Sequence, residues 1–225
     1  MNSAIIVAAG RGTRMGANVD KLFLEVGGRP IVLHTWERFD TSPEITEVIL
    51  VVREGMEKDF ELLGNQFEMK KRFRIVVGGE ERQNSVWNGI QALSGSAELV
   101  LIQDGARPCT SHDIISDTLA AARRAGAAVA ATRVTDTLKE GDEGGLINRN
   151  VDRSKLWAVQ TPQVFRVEVI RRALQEVIQR GLLVTDDTAA CELIGQRVQL
   201  VESKTPNPKA TSPADLPFIE SLLTK

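Results

Sequence analysis

The chain has few residues of the kinds that form covalent or metal cross-links. Its 225 residues include two cysteines, Cys109 and Cys191, and two histidines, His34 and His112. Two cysteines this far apart form neither a disulfide framework nor a zinc-ligand pair. A chain of this length buries about 70% or more of the surface that its unfolded form exposes. We therefore expect one globular domain, spanning residues 1–225, that folds around an apolar core.

Long apolar runs and a surplus of positive charge are also missing. No segment approaches the roughly 18 consecutive apolar residues of a membrane span. The N-terminus lacks the basic start and long apolar core of a secretory signal, so we expect a cytoplasmic protein without membrane contact. The net charge of −2 and the pI of about 5.8 argue against a general nucleic-acid partner.

Short aliphatic runs alternate along the chain with segments of helical periodicity. This order is typical of α/β proteins, and it predicts a Rossmann-like, mostly parallel sheet with helices on both faces. The helical periodicity is clearest from Val167 to Ile178 and from Val86 to Leu93. Helix starts are expected near Ser111, Thr188 and Ser212. The predicted strands are Ala4 to Ala8, Val48 to Val52, Arg74 to Val77, Leu99 to Gln103, Ala127 to Ala131 and Val198 to Val201.

A glycine- and arginine-rich loop follows the first predicted strand and gives the strongest indication of chemistry. Gly10 and Gly12 let backbone N–H groups approach phosphate oxygens, while Arg14 and Lys21 supply positive charge. The spacing from Gly12 to Gly16 does not match a dinucleotide fingerprint, and no lysine directly follows Gly16 as a P-loop requires. The alternative is a tight turn without a ligand, which the arginines and the lysine make less attractive.

Two further motifs follow predicted strands, and the first of them would face the same crevice as the glycine- and arginine-rich loop. Asp104 ends an apolar strand, and a single carboxylate there suits Mg²⁺ with substrate phosphates and water. The alternative is that Asp104 caps the helix near Ser111. Arg107 is a candidate anion clamp, although a surface arginine is the commoner case. At the second motif, Gly79 permits close backbone approach to a base and Ser85 offers a hydroxyl, while helix initiation by a polar turn remains the alternative.

Taken together, the motifs resemble those of the 2-C-methyl-D-erythritol 4-phosphate cytidylyltransferases of the non-mevalonate isoprenoid pathway. The resemblance covers residues 4 to about 220, with the motifs in order. The matching motifs are Ala8-Ala9-Gly10-x-Gly12-x-Arg14-Met15 with Lys21, Gly78-Gly79-x-x-Arg82-x-x-Ser85-Val86, Asp104-x-Ala106-Arg107-Pro108, Val151-Asp152-Arg153-x-x-Leu156-Trp157 and Gln160-Thr161-Pro162-Gln163.

The resemblance implies that the chain transfers a cytidylyl group from CTP to methylerythritol phosphate with Mg²⁺ held by Asp104. Arg14 and Lys21 would stabilise charge on the transferring and leaving phosphates, and Lys209 would position the acceptor. The residues that would bind substrate are Ala8, Ala9, Gly10, Gly12, Gly79, Glu80, Ser85, Arg107 and Thr137.

The polar segment 137–153, interrupted by glycines, is too polar for the core. It resembles the family's protruding β-arm, which implies a homodimer in which Thr137 and Arg153 reach the partner's acceptor site. The expected reaction needs no general base, because the attacking phosphate monoester is largely ionised at pH 7. Accordingly, no role is assigned to His34, His112 or Cys109.

The chain departs from the family pattern at two places, and three alternative functions stay open. Thr205 and Pro206 stand where many members carry an acidic residue, which Glu202 could replace, and residue 80 is Glu instead of Asp. A ribitol 5-phosphate cytidylyltransferase shares the nucleotide half. A glycosyltransferase would need a second aspartate beside Asp104, and a regulatory nucleotide-binding module would not require all of the basic residues.

Overall fold

The structure is a computed structural model that describes residues 1–10 and 20–224. Its strands are β1 Asn2–Ala8, β2 Glu25–Val26, β3 Arg29–Pro30, β4 Glu47–Val52, β5 Arg72–Val77, β6 Leu99–Asp104, β7 Ala127–Arg133, β8 Leu138–Gly141, β9 Ile147–Val151, β10 Trp157–Arg166 and β11 Gln199–Glu202. Its α-helices are α1 Ile31–Asp40, α2 Glu57–Gln66, α3 Arg82–Gln91, α4 His112–Ala125, α5 Val167–Gln179, α6 Asp187–Leu193 and α7 Leu216–Leu223. Short 3-10 helices span Lys21–Phe23 and Pro213–Asp215.

A seven-stranded sheet in the order β11-β7-β10-β6-β1-β4-β5 forms the centre of the fold. Strand β10 runs antiparallel to β6 and β7, whereas the other neighbouring pairs are parallel. The prediction of a mostly parallel sheet is therefore confirmed. Strand β10 was not predicted, because its polar run Gln160 to Gln163 interrupts the apolar pattern and coincides with a register shift.

Helices cover both faces of this sheet, as predicted. Successive side chains of a strand point to opposite faces, so Ile6 packs in one apolar cluster and Ile5 in the other. The first cluster includes Trp36 of α1, and the second includes Ile170 of α5. Strands buried on both faces need apolar residues at nearly every position, and this explains the continuous aliphatic runs.

Side-chain caps start three of the helical segments close to the predicted points. The Ser111 hydroxyl accepts a hydrogen bond from Ile114 N at the start of α4. Asp186 caps α6, which begins one residue earlier than expected. Ser212 caps a 3-10 turn that leads into α7. Because Ser111 caps α4 itself, the alternative of a capping role for Asp104 is wrong.

Strands β8 and β9 pair with each other in an antiparallel hairpin that is separate from the main sheet. Residues 139–150 of this hairpin are exposed. The polar segment expected to stand outside the core therefore forms a β-hairpin between β7 and β10. Over residues 1–10 and 20–224, no helix has the length and apolar character needed to cross a membrane.

Candidate active site

A cleft opens at the carboxyl ends of β1 and β6, where parallel strands bring their following loops to one edge of the sheet. It collects eight of the residues that the sequence singles out. These are Ala9, Gly10, Lys21, Gly79, Glu80, Ser85, Asp104 and Lys209. The first and last of them are separated by most of the chain, so the fold confirms that these motifs share one crevice.

Several other predicted residues lie elsewhere. Ala8 ends β1 with its side chain buried, and it is not among the residues lining the cleft. Thr137 and Arg153 are exposed at the base of the hairpin, and neither lines this cleft. Gly12 and Arg14 lie outside the described residues.

The loop between β5 and α3 packs tightly against the end of β1. A Cβ atom on Gly78 would lie 2.4 Å from Ala9 Cβ and 2.8 Å from Ser85 Oγ, so only glycine fits there. Ser85 Oγ accepts a hydrogen bond from Gly79 N at 3.1 Å, and Glu81 forms a capping box at the start of α3. The polar turn thus initiates the helix, and the same turn brings Gly79 to the cleft.

Three cationic side chains surround the Asp104 carboxylate. Lys209 Nζ lies 2.9 Å from Oδ2, and Arg107 Nε lies 3.3 Å from the same oxygen. Arg82 Nε lies 3.8 Å from Oδ1, which is too long for a hydrogen bond. Burial alone would raise the pKa of Asp104, but the positive charges of Lys209, Arg82 and Arg107 hold it below its usual value. The carboxylate is therefore ionised at neutral pH.

Arg107 is not the surface residue that its type suggests. Its side chain is 11% exposed, and besides Asp104 it donates from Nη1 to the carbonyl of Asn207 at 2.7 Å. The guanidinium therefore ties the end of β6 to the loop that carries Lys209. Arg107 also lines a second cleft beside the first, and its role as an anion clamp stays a prediction.

The Lys209 loop is fixed by the buried side chain of Asn207. Its Nδ2 donates to the carbonyl of Thr161 at 2.8 Å, and its Oδ1 accepts from Thr110 Oγ1 at 3.1 Å. Thr161 Oγ1 in turn accepts from the backbone N–H of Asp104 at 3.1 Å. Asn207 and Thr161 were not identified as site residues from the sequence, although both lie in or beside recognised motifs.

A second cleft meets the first along Arg82, Asp104 and Lys209, which line both. Its other lining residues are Arg107, Val159, Gln160, Thr161, Gln163, Thr185 and Asp186. Two ligands could therefore approach each other from opposite sides of the Asp104 carboxylate. Lys21 lies near this junction, since its Nζ is 3.4 Å from the carbonyl of Ala210.

A divalent cation would find one carboxylate at the junction. Within the described ranges, no group of three or more His, Cys, Asp or Glu side chains could hold a metal ion. Asp104 lines both clefts and its Oδ1 receives no hydrogen bond from the described residues, so the carboxylate suits Mg²⁺ that also binds phosphates and water. Glu202 does not supply the second carboxylate, because it lines a separate groove with Asp113 and Asp117.

The residues left without a role lie away from the junction. His34 Nε2 contacts the carbonyl of Val26, and His112 Nε2 contacts Thr41 Oγ1. Burial raises the pKa of Cys109 to about 11, so its thiol is protonated at neutral pH and is a poor nucleophile. The chemistry available to the site is therefore electrostatic.

Comparison with known proteins gives a consistent result. The family model "IspD: 2-C-methyl-D-erythritol 4-phosphate cytidylyltransferase" matches residues 2–225. A protein of that name from Geobacillus kaustophilus is 44% identical over 220 residues, covering 98% of this chain and 96% of the relative. One from Desulforamulus reducens is 43% identical over 225 residues, covering 99% and 95%.

Solved structures agree in fold. The 4-diphosphocytidyl-2C-methyl-D-erythritol synthase of Anaerococcus prevotii superposes with a TM-score of 0.86 at 31% identity, covering 100% of this chain and 98% of that one. The 2-C-methyl-D-erythritol 4-phosphate cytidylyltransferase of Thermus thermophilus gives a TM-score of 0.81 at 32% identity, covering 98% of each chain.

Proposed function

The chain belongs to the 2-C-methyl-D-erythritol 4-phosphate cytidylyltransferase family and is a nucleotidyltransferase, and from this premise we propose which reaction it catalyses where its two clefts meet. The acceptor is 2-C-methyl-D-erythritol 4-phosphate, the donor is CTP, and the products are 4-diphosphocytidyl-2-C-methyl-D-erythritol and pyrophosphate. The reaction is a step in the synthesis of isoprenoid precursors. The observation that carries the proposal is the meeting of two clefts at Asp104, with Lys209 on their shared wall.

The chemistry is an in-line displacement at phosphorus. An oxygen of the acceptor phosphate forms a bond to the α-phosphorus of CTP, and the bond from that phosphorus to the bridging oxygen of pyrophosphate breaks. No proton needs to be removed, because the phosphate monoester is largely ionised at neutral pH. The barrier lies in bringing two anions together, so positioning and fixed positive charge provide the catalysis.

The first cleft is assigned to CTP. The backbone of Ala9, Gly10 and Gly79 offers a close-fitting surface for the base, with Ser85 and Glu80 beside it. Ser85 Oγ already accepts a hydrogen bond from Gly79 N, so it also holds the shape of this wall. We assign the triphosphate to the side of the cleft that carries Lys21. We propose Arg14, which lies outside the described residues, as a second cation.

Asp104 is assigned to Mg²⁺. When bound there, the cation would neutralise charge on the triphosphate oxygens. The protein's part is to keep the carboxylate ionised and oriented: Lys209 and Arg107 hold Oδ2, and the backbone of Asp104 is anchored to Thr161. Oδ1 would then be the oxygen offered to the cation.

The acceptor is assigned to the second cleft, and the choice of acceptor is the test of the proposal. Protein, CTP and Mg²⁺ are mixed with either methylerythritol phosphate or ribitol 5-phosphate, and pyrophosphate release is followed. We expect turnover with methylerythritol phosphate. No pyrophosphate release with either acceptor would contradict the cytidylyltransferase reaction, and faster release with ribitol phosphate would reassign the substrate.

A lysine pair provides the matched control. Lys209→Gln removes the cation beside Asp104 and should lower kcat by about 10²–10³-fold, in the range found when a charge-stabilising group is removed. Lys204→Gln changes an exposed lysine that lines neither cleft, so its kinetics should match the parent protein. Equal effects of the two substitutions would remove Lys209 from the reaction.

We further propose that the hairpin completes the site of a second copy in a homodimer. Thr137 and Arg153 are exposed and line neither cleft of their own subunit, which suits residues that act in trans. Mixing Arg153→Ala with Lys21→Ala subunits would then create dimers with one intact site. Because half of randomly paired dimers are mixed, recovery should approach about a quarter of the parent activity. No recovery, or a monomer in sedimentation, would overturn the arrangement.

A further inference from the structure

Arg82 occupies a position that its sequence context does not reveal. It is the first residue of α3, and its side chain lines both clefts beside Asp104 and Lys209. Its Nη1 donates to Asp187 Oδ2 at 2.8 Å, while its Nε stays 3.8 Å from Asp104 Oδ1. The guanidinium is thus drawn toward Asp187 and lies beside the Asp104 carboxylate without a hydrogen bond to it.

Asp187 is an unusual partner for Arg82, because its carboxylate is buried with few hydrogen-bond donors around it. Its side chain is 1% exposed, and within the described residues its Oδ1 has no hydrogen-bond partner. Burial raises the pKa of Asp187 even though the charge of Arg82 opposes the shift. A buried carboxylate in this condition costs stability, so stability does not account for its presence.

A second buried carboxylate in the chain shows what a structural role looks like. Glu47 begins β4 at the opposite end of the strands from the clefts, and it accepts hydrogen bonds from Ser3 Oγ, Ser94 N and Ser94 Oγ while pairing with Arg74. Burial would raise its pKa, but these partners together lower it. Glu47 is well satisfied, whereas Asp187 is not.

Asp187 is nevertheless held in a rigid frame. Its backbone N–H donates to Gln163 Oε1 at 3.1 Å, and Gln163 Nε2 donates to Asp186 Oδ2 at 2.9 Å. Gln163 belongs to β10, so the sheet fixes the start of α6 and thereby the carboxylate. An anchor of this kind fixes where the Arg82 guanidinium can lie.

We propose that Asp187 is a positioning residue that holds Arg82 on the shared wall of the two clefts, where its guanidinium contacts the phosphoryl group during transfer. This inference rests on the proposed function, which supplies the phosphates. Without Asp187, the guanidinium would move onto Asp104, because that carboxylate is then its nearest anion. Such a pair would withdraw a cation from the transferring group and cover Oδ1.

The test is a double-mutant cycle with a matched control. Asp187→Asn, Arg82→Gln and the double variant are compared with the parent protein for kcat, for KM of both substrates, for CTP affinity by calorimetry and for thermal unfolding. Glu47→Gln is the control, since it also neutralises a buried, arginine-paired carboxylate but lies away from the clefts.

We expect Arg82→Gln to lower kcat by about 10²-fold and Asp187→Asn by about 10-fold or more, with CTP affinity changed less than about threefold. Adding Asp187→Asn to Arg82→Gln should change kcat no further, because residues that act through one another are not additive. Glu47→Gln should keep the parent kcat and KM where it remains folded.

An unchanged kcat in Asp187→Asn, or fully additive losses in the double variant, would overturn the inference. If Asp187→Asn does not fold, Arg82→Lys decides: lysine keeps the charge but lacks the fork that reaches toward both carboxylates, so a parent-like kcat there would also overturn it. If the parent protein released no pyrophosphate with either acceptor, the proposed function itself would be refuted. Failure of the inference about Asp187 and failure of the proposed function are therefore distinguishable.

Discussion

The replacement Asn207→Ala tests whether the buried amide holds Lys209 in place beside Asp104. Asn207 is 2% exposed, and its side chain joins the Lys209 loop to β10 through Thr161 and to the loop before α4 through Thr110. Alanine removes both hydrogen bonds and a longer one from Nδ2 to Gln160 Oε1 at 3.4 Å, and it leaves the Thr161 carbonyl buried without this donor. The loop would lose its fixed position relative to Asp104.

The expected cost follows from these contacts. The two shorter hydrogen bonds contribute about 0.5–1 kcal/mol each, and the unsatisfied carbonyl adds about 1–2 kcal/mol, giving a loss of about 2–4 kcal/mol in the free energy of unfolding. For a domain of this size that corresponds to a fall in Tm of about 4–16 °C. Because Lys209 lies two residues away, we also expect kcat to fall by about 10-fold or more.

The measurements are urea unfolding, followed by tryptophan fluorescence, and pyrophosphate release at a temperature where the variant remains folded. Asn88→Ala is the control, since Asn88 makes one partly exposed hydrogen bond to the carbonyl of Val77 and should cost less than about 1 kcal/mol. Equal destabilisation by the two substitutions would refute the energetic reasoning. A destabilised Asn207→Ala with parent-like kcat would show that this amide does not position Lys209.

Two further predictions concern packing and charge away from the clefts. Glu47→Gln should lower the free energy of unfolding at pH 7 by about 1–3 kcal/mol. Because the pKa of Glu47 is lowered in the folded state, the difference between the variant and the parent protein should shrink as the pH falls through that pKa. Urea unfolding of both proteins at pH 7 and pH 3 measures this difference, and a larger difference at pH 3 would contradict the prediction. Gly89→Ala would place a Cβ 2.8 Å from Ile5 Cγ2 and 2.9 Å from Val51 Cγ2, and we expect overpacking to cost about 1–3 kcal/mol, so a variant with a raised Tm would contradict the close approach of α3 to the sheet.

Much of the fold could be read from local patterns. Six of the strands in the main sheet coincide with the predicted runs. For the inner strands β1, β4, β6 and β7 the reason is that a strand covered on both faces must be largely apolar. Strand β10 could not be found in this way, since it carries Gln160 and Gln163 where it passes the clefts. Its polar residues serve the site, and this is where sequence patterns are expected to fail.

Individual residues of the site could be predicted from the sequence, but most of the contacts between them could not. Asp104 and Lys209 were recognised from their motifs, but their 2.9 Å ion pair joins two loops far apart in the chain. Arg107 was expected to bind an anion; it lines the second cleft and also braces the Lys209 loop through Asn207, a contact that the sequence did not indicate. Arg82 lay within a recognised motif, yet its partner Asp187 is 105 residues away, so no local spacing could have indicated the pair.

What the sequence determined by itself are properties set by neighbours along the chain. The cap at Ser111 and the alternation of strands and helices each depend on a few adjacent residues. The tertiary structure alone decided which charges face each other, because Coulomb energy and burial depend on distance in space. The same carboxyl group is therefore satisfied by hydrogen bonds at Glu47, held ionised by three cations at Asp104 and, within the described residues, left with an oxygen that has no hydrogen-bond partner at Asp187.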